Sequence, residues 1–285
     1  MQVVSPDPGW TIGKHALMNL HAVQRNGRTE IDPHSWRIPY QWQGCHYQDH
    51  DDQPFLLLIN SGGGFVEGDV AELHGTMEPG TRSLVTTTAA SKFYKCPQGL
   101  TSREEANFRV LGDALLEYIP DETIPFADSR VARHTRIALD GTARLFATDM
   151  VSAGRVAFGP GETFRFAALD SSFEVVVEGE TVAHDRLMAE DAAEVAALQR
   201  LWQGAFHTLT VFAYGNTLPD GIEESIEARL ASLPLVSAGA SRIGDLVVCR
   251  VLANEAWHCH DAILACWSAV RPALAGKAAR PIRKC

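Results

Sequence analysis

Three short stretches of this 285-residue chain hold side chains that could do chemistry. Cys45, His46, His50, Asp51 and Asp52 fall within "CHYQDHDD" and offer thiolate, imidazole and carboxylate donors to a metal. "HCHD", His258 to Asp261, offers the same donor types near the C-terminus. The third stretch, "LLLINSGGGFVEGD" from Leu56 to Asp69, brings an apolar run up to Gly62, Gly63 and Gly64, with Glu67 and Asp69 on either side of Gly68. A phosphate cradle, a metal loop and a tight turn between strands all use glycines in this way.

The glycine run lacks the Gly-Lys-Ser/Thr ending of a phosphate-binding loop. Gly62, Gly64 and Gly68 are spaced GxGxxxG, one residue too long for a dinucleotide fingerprint. The following "VAELHGTM" lacks helix character, so no helix N-terminus is there to hold a pyrophosphate. Two acids would also repel phosphate. The stretch reads as a strand-to-strand turn with close backbone packing. In "HCHD", residues two apart on a helix project about 200° apart, so His258 and His260 point to opposite sides and make no site within that helix. Cys259 and Cys266 fall on its apolar stripe and read as small core residues. The Cys45 to Asp52 cluster reads as a solvated polar loop. No GxSxG elbow and no HExxH helix is present.

A net charge of −10 argues against nucleic acid as a partner, because phosphate would be repelled rather than steered. The first ten residues carry neither a basic segment nor an apolar one, so no signal peptide is expected. The apolar run Phe55 to Ile59 is too short to cross a bilayer. Six cysteines, at 45, 96, 249, 259, 266 and 285, include no CxxC pair. Reduced thiols and a cytoplasmic location are the expectation, with no membrane partner.

The elements that must position these groups are mostly strands. The predicted fold class is mainly β, a single domain over residues 1–285 of stacked, β-helix-like strands. A few helices are expected, mostly in a C-terminal part of about 219–285. "TRIALDGTARLFATDM" and "FEVVVEGETVAH" predict hairpins at Asp140-Gly141 and Glu178-Gly179. Gly80, Gly112 and Gly141 each stand four residues before a leucine, at spacings of 32 and 29. A unit of that length that cannot bury a face alone can stack on its neighbours, as in a β-solenoid; the alternative is that a turn followed by a strand recurs in any all-β protein. Ile222, Ile226, Leu230 and Leu233 predict one amphipathic helix, and Cys259, Ile263, Cys266, Trp267 and Val270 another. "EDAAEVAALQRLW" fits a helix or a loop.

Several segments, in order, resemble one family. They are "RNGRT" (Arg25–Thr29), "INSGGGFVEGD" (Ile59–Asp69), "TTTAASKFYK" (Thr86–Lys95), "LLEYIPDETIPF" (Leu115–Phe126) and the stretch from Thr135 to Phe164. Together they resemble the UreD, or UreH, family of urease accessory proteins, from about Gly9 to Pro281. The resemblance implies a β-rich stack of strands and a non-enzymatic role. It implies binding to the urease apoprotein, to a second accessory protein (UreF-like) and to a nickel-loading GTPase (UreG-like). It further implies no tightly bound cofactor, only transient nickel moving through an internal, water-filled path. Oxygen ligands suit a metal that must move on. Glu67, Asp69, Asp149 and Glu174 are the candidates to line that path. The alternative for each is a structural acid capping a turn or pairing with an arginine, such as Arg155 for Asp149.

This chain has Ile59-Asn60-Ser61 where family members often carry His-Pro-Pro, and Pro281 to Cys285 where they often finish Pro-Arg-Ile-Trp. The basic cluster Lys277, Arg280, Arg283 and Lys284 is the candidate partner-binding surface; a solvated tail is the alternative. Two other classes compete with the family reading: a metal-storing or metal-sensing protein built on the His and Cys clusters, and an unrecognised β-solenoid hydrolase.

Overall fold

Apolar and polar residues alternate with period two through most of the chain, and that pattern builds strands with one buried face. The computed structural model describes residues 13–48, 52–159, 161–282 and 284. The first strands are β1 (His15–Arg25), β2 (Arg28–Arg37), β3 (Tyr40–Gln41), β4 (Phe55–Asn60), β5 (Val70–Met77), β6 (Arg82–Thr87) and β7 (Ser91–Phe93). Next come β8 (Ser102–Val110), β9 (Leu115–Ile119), β10 (Thr123–Pro125), β11 (Arg130–Leu139), β12 (Arg144–Ser152), β13 (Gly154–Arg155) and β14 (Glu162–Thr163). The chain continues through β15 (Ala168–Val177), β16 (Glu180–Ala189), α1 (Ala192–Leu201), β17 (His207–Tyr214), α2 (Ile222–Leu230), β18 (Ser237–Ile243), β19 (Leu246–Ala253) and α3 (Ala256–Ala275).

From β4 to β15, successive long strands go to opposite sheets. One sheet has the order β16-β15-β11-β8-β5-β1-β2, and its members from β1 to β15 pair in parallel. The other runs β18-β19-β17-β12-β9-β6-β4-β3, with β4, β6, β9 and β12 parallel. Short β7 and β10 pair with each other, and β10 also pairs with β12 of the second sheet. Each turn of chain there adds one strand to each sheet, the β-helix-like stack that the resemblance implied and the glycine spacing allowed. Leu73, Phe108, Ile137 and Phe173 from the first sheet meet Val85, Leu116, Leu145 and Phe212 from the second. Phe173 stacks on Phe212 with ring centroids 4.6 Å apart.

The repeated glycines mark the corners between sheets. Thr81, Ala114 and Ala143 each donate a backbone hydrogen bond to the residue three back, at Glu78, Leu111 and Asp140. Each corner is then tied to the next layer by an acid. Asp113 accepts from the Gly80 amide at 2.7 Å, Asp140 from Gly112 at 2.7 Å, and Glu178 from Gly141. Asp140-Gly141 is accordingly not a hairpin. β11 and β12 lie in different sheets because stacked neighbours, β8 and β15 for one and β9 and β17 for the other, take their ladder bonds. Glu178-Gly179 is the two-residue hairpin expected, with φ of 49° and 87°.

The predicted C-terminal helices form and cover the outer face of the second sheet. Cys259, Ile263, Cys266, Trp267 and Val270 of α3 pack with Phe146, Met150, Leu209 and Val251, alongside Ile226 and Leu230 of α2. The region after residue 219 also supplies the antiparallel strands β18 and β19. The segment open between helix and loop is α1, because Asp191 caps it, accepting from the amides of Ala193 and Glu194 at 2.8 and 2.9 Å.

The glycine run is a tight turn between β4 and β5. Gly63 and Gly64 have φ of 71° and 155°, and a Cβ on Gly64 would meet the Lys92 carbonyl oxygen at 2.7 Å. That close approach lets the Phe65 amide donate to the same carbonyl at 2.7 Å and Phe65 stack on Phe93. Gly64→Ala is expected to cost about 2–3 kcal/mol of stability. Gly63→Ala, where a Cβ meets nothing within 4 Å, should cost about 1 kcal/mol. Urea unfolding of both variants checks this; equal losses would contradict the packing argument.

Candidate functional site

Apolar alternation breaks at one level of the interior. Glu104 on β8, Arg133 on β11 and Ser171 on β15 are neighbours in register on the first sheet. They share the phase of Phe108, Ile137 and Phe173, so they point inward. Tyr118 on β9, Asp149 on β12 and Thr210 on β17 supply the facing level, with Asp149 and Thr210 directly paired. Arg133 joins the two sheets. Its Nη1 donates to Asp149, its Nε donates to Glu104 Oε2 at 3.2 Å, and Ser171 Oγ lies 3.5 Å away.

Burial alone would lower the pKa of Arg133, but the carboxylates of Asp149 and Glu104 outweigh it and raise it. Tyr40 and Tyr118 close the site. Burial is the first cause of their raised pKa values, and the charge of Glu104 adds to both, so both phenols stay neutral. Two carboxylates against one guanidinium leave the group net negative.

This polar line has openings at both ends. Ser91 Oγ donates to Glu104 at 3.1 Å, beside a cavity of about 90 Å³ lined by Tyr40, Asn60, Gly64 and Thr87. Beyond Asp149, Thr210 Oγ1 donates to Asp185 Oδ2 at 2.6 Å, and Asp185 pairs with Arg250 at 3.3 Å. Asp185 and Arg250 line a groove of about 870 Å³ between the sheet-edge strands β16 and β18.

The four acids singled out by sequence are not brought together. Glu67 Oε1 accepts from the amides of Gln98 and Leu100 at 2.7 and 2.8 Å, and Asp69 accepts from those of Lys14 and Val66. Both fasten turns. Asp149 is interior, but its partner is Arg133; Arg155 pairs instead with Glu162. Glu174 sits on the outer face. Its pKa is lowered first by the Thr181 hydrogen bond at 2.7 Å and then by Arg136, whose Nε is 3.0 Å away. Sequence reasoning missed Glu104, Arg133 and Asp185. For the first two the signal was present: a charged residue in the phase of a buried apolar face.

The basic tail folds back on this chain's own acids. Lys277 pairs with Asp52 at 3.2 Å, Lys284 pairs with Asp121, and Arg280 lines a small cavity with Gln53, Trp267 and Arg271. Arg283 and Cys285 lie outside the described residues, as do His50 and Asp51. Cys45 meets the Ile31 backbone nitrogen and oxygen at 3.4 and 3.6 Å. His258 is buried and His260 exposed, on opposite sides of α3, and burial pushes the Cys259 thiol up to about 12. Among the described residues, the carboxylate and imidazole groups that converge with metal-like spacing are Asp121, Glu122 and His260, within 4.8 Å of one another.

Arg133→Met would leave the buried Asp149 and half-buried Glu104 carboxylates without their cation and is expected to cost about 3–5 kcal/mol. Asp149→Asn leaves Arg133 its Glu104 partner and should cost about 1–3 kcal/mol. Guanidinium unfolding of the two variants checks the order, which a surface pair would not show.

The sequence matches the family described as UreD urease accessory protein over residues 14–284. A urease accessory protein UreD of Pseudomonas putida is 30% identical over 97% of this chain and 94% of its own length. Those of Pseudomonas entomophila and Klebsiella aerogenes are each 29% identical, over 97% and 93% of this chain and 94% of their own lengths. With a match that spans nearly every strand and helix described above, the chain belongs to the UreD family of urease accessory proteins.

Proposed function

We propose that this protein is a non-catalytic urease maturation factor that binds the urease apoprotein and passes nickel toward its active site through the interior of the stack. Nickel is cargo here. Family membership supports the maturation role. The observation that carries the passage is the net-negative polar line Glu104, Arg133, Asp149, Thr210, Asp185, which runs between the sheets from a cavity to a groove. Its acids are carboxylates, whose oxygens exchange a divalent cation more readily than thiolates do. Arg133 is the cation the acids hold in the meantime, and a dication that displaces it from Asp149 leaves it the Glu104 carboxylate to retreat to.

The partners in this reading are the urease subunits, a UreF-like accessory protein and a UreG-like GTPase, and the setting is the cytoplasm. No helix among the described residues is long and apolar enough to cross a membrane. The hydrolase alternative finds no support. The buried Ser–His contact, Ser152 Oγ to His207 Nδ1 at 2.8 Å, joins residues only 1% and 5% exposed, out of reach of a substrate.

Tagged protein expressed with the urease subunits and the other accessory proteins should retain them on purification. Urease made without it should hold little nickel by metal analysis. Fully nickel-loaded, active urease in its absence, with no partner retained, would overturn the reading.

A further inference from the structure

Asp121 and Glu122 follow the end of β9, and His260 lies on the second turn of α3. Sequence pairs none of them; the fold does. The backbone at the two acids is pinned: the Asp121 amide donates to Thr87 Oγ1 at 2.9 Å, and the Glu122 carbonyl accepts from the Ser91 amide at 2.9 Å. The helix is pinned as well. Glu117 of β9 accepts from Arg271 Nε at 3.1 Å and from Trp267 Nε1 at 2.5 Å. The three side chains thus stand on rigid elements before any ligand arrives.

Their spacing approaches that of a coordination shell. His260 Nε2 and Glu122 Oε2 are 3.4 Å apart, close to the edge of a tetrahedron with bonds of about 2.0–2.1 Å. All three donor atoms fall within 4.8 Å of one another. The His260 side chain is 44% exposed, which leaves an entry path, while Glu122 is 16% and Asp121 15% exposed. A positive charge already occupies part of this position: the Lys284 ammonium sits on Asp121.

We propose that Asp121, Glu122 and His260 form a binding site for a late first-row divalent cation such as Zn²⁺, Ni²⁺ or Co²⁺, with Lys284 of the tail as the resident cation that the metal displaces. One imidazole and two carboxylates favour these ions over Mg²⁺, which takes oxygen ligands and sheds water reluctantly. Metal binding then releases the tail from Asp121, so occupancy of the site is reported in the position of the basic C-terminal segment. The site shares no residue with the polar line through Asp149, and it stands whether or not nickel passes there.

Co²⁺ titration of the full chain, followed by its visible absorption, with Zn²⁺ competition and Mg²⁺ as control, tests the proposal. One Co²⁺ should bind with a tetrahedral or five-coordinate spectrum, be displaced by Zn²⁺ and ignore Mg²⁺. His260→Ala and Glu122→Gln should each weaken binding at least tenfold. Lys284→Ala should strengthen it several-fold, and Asp149→Asn should leave it unchanged. Lys284→Ala removes only a tail contact, so it keeps the test valid should His260→Ala fold poorly. Unchanged affinity in Glu122→Gln and Lys284→Ala would overturn the site. Binding lost in Asp149→Asn instead would assign the metal to the interior line.

Discussion

No layer of this stack can bury its inner face alone. Each turn of about thirty residues makes one strand for each sheet, and each strand finds its hydrogen-bond partners only in the layers on either side. Nearly every other feature follows from that constraint. Corners must repeat, so the glycines at 80, 112 and 141 repeat. Layers must stay in register, and an acid from each layer grips the corner amide of the layer before it. The ends need finishing: β2 and β16 close one sheet as antiparallel hairpin partners, and β17, β19 and β18 extend the other.

Two buried charge groups sit on opposite sides of the second sheet and do different work. Glu117 reaches outward to Arg271, Trp267 and Gln53 and fastens α3 to the stack. Every acceptor oxygen there has a donor, as a structural bracket requires. Arg133 reaches inward across the core and is shared between Glu104 and Asp149. An apolar group in its place would pack the sheets with no desolvation cost, so retaining charge there fits a role beyond stability.

Much of the architecture was legible. The glycine spacing was compatible with stacked layers and the family resemblance pointed to them, the apolar stripes located α2 and α3, and the failed nucleotide motifs left a turn at Gly62–Gly64, where the structure places one. Asp140-Gly141 misled because a corner and a hairpin use the same turn chemistry; only the neighbouring layers decide which forms. Asn26-Gly27, with φ of 52° and 74°, is an equally strong hairpin signal and does join β1 to β2. The site was less legible. Asp149 could be named, but its partner lies 16 residues away across the core rather than at nearby Arg155. Glu122 and His260 are 138 residues apart, and no local spacing relates them.

The central claim is that cargo crosses between the sheets past Asp149. Its most direct test is the rate of nickel incorporation into purified urease apoprotein, supplied through the accessory complex, with Asp149→Ala compared against Glu174→Ala. The account predicts a large loss of rate for Asp149→Ala and an unaltered rate for Glu174→Ala on the outer face, with both variants retained in the complex. Equal rates for the two would contradict an interior path.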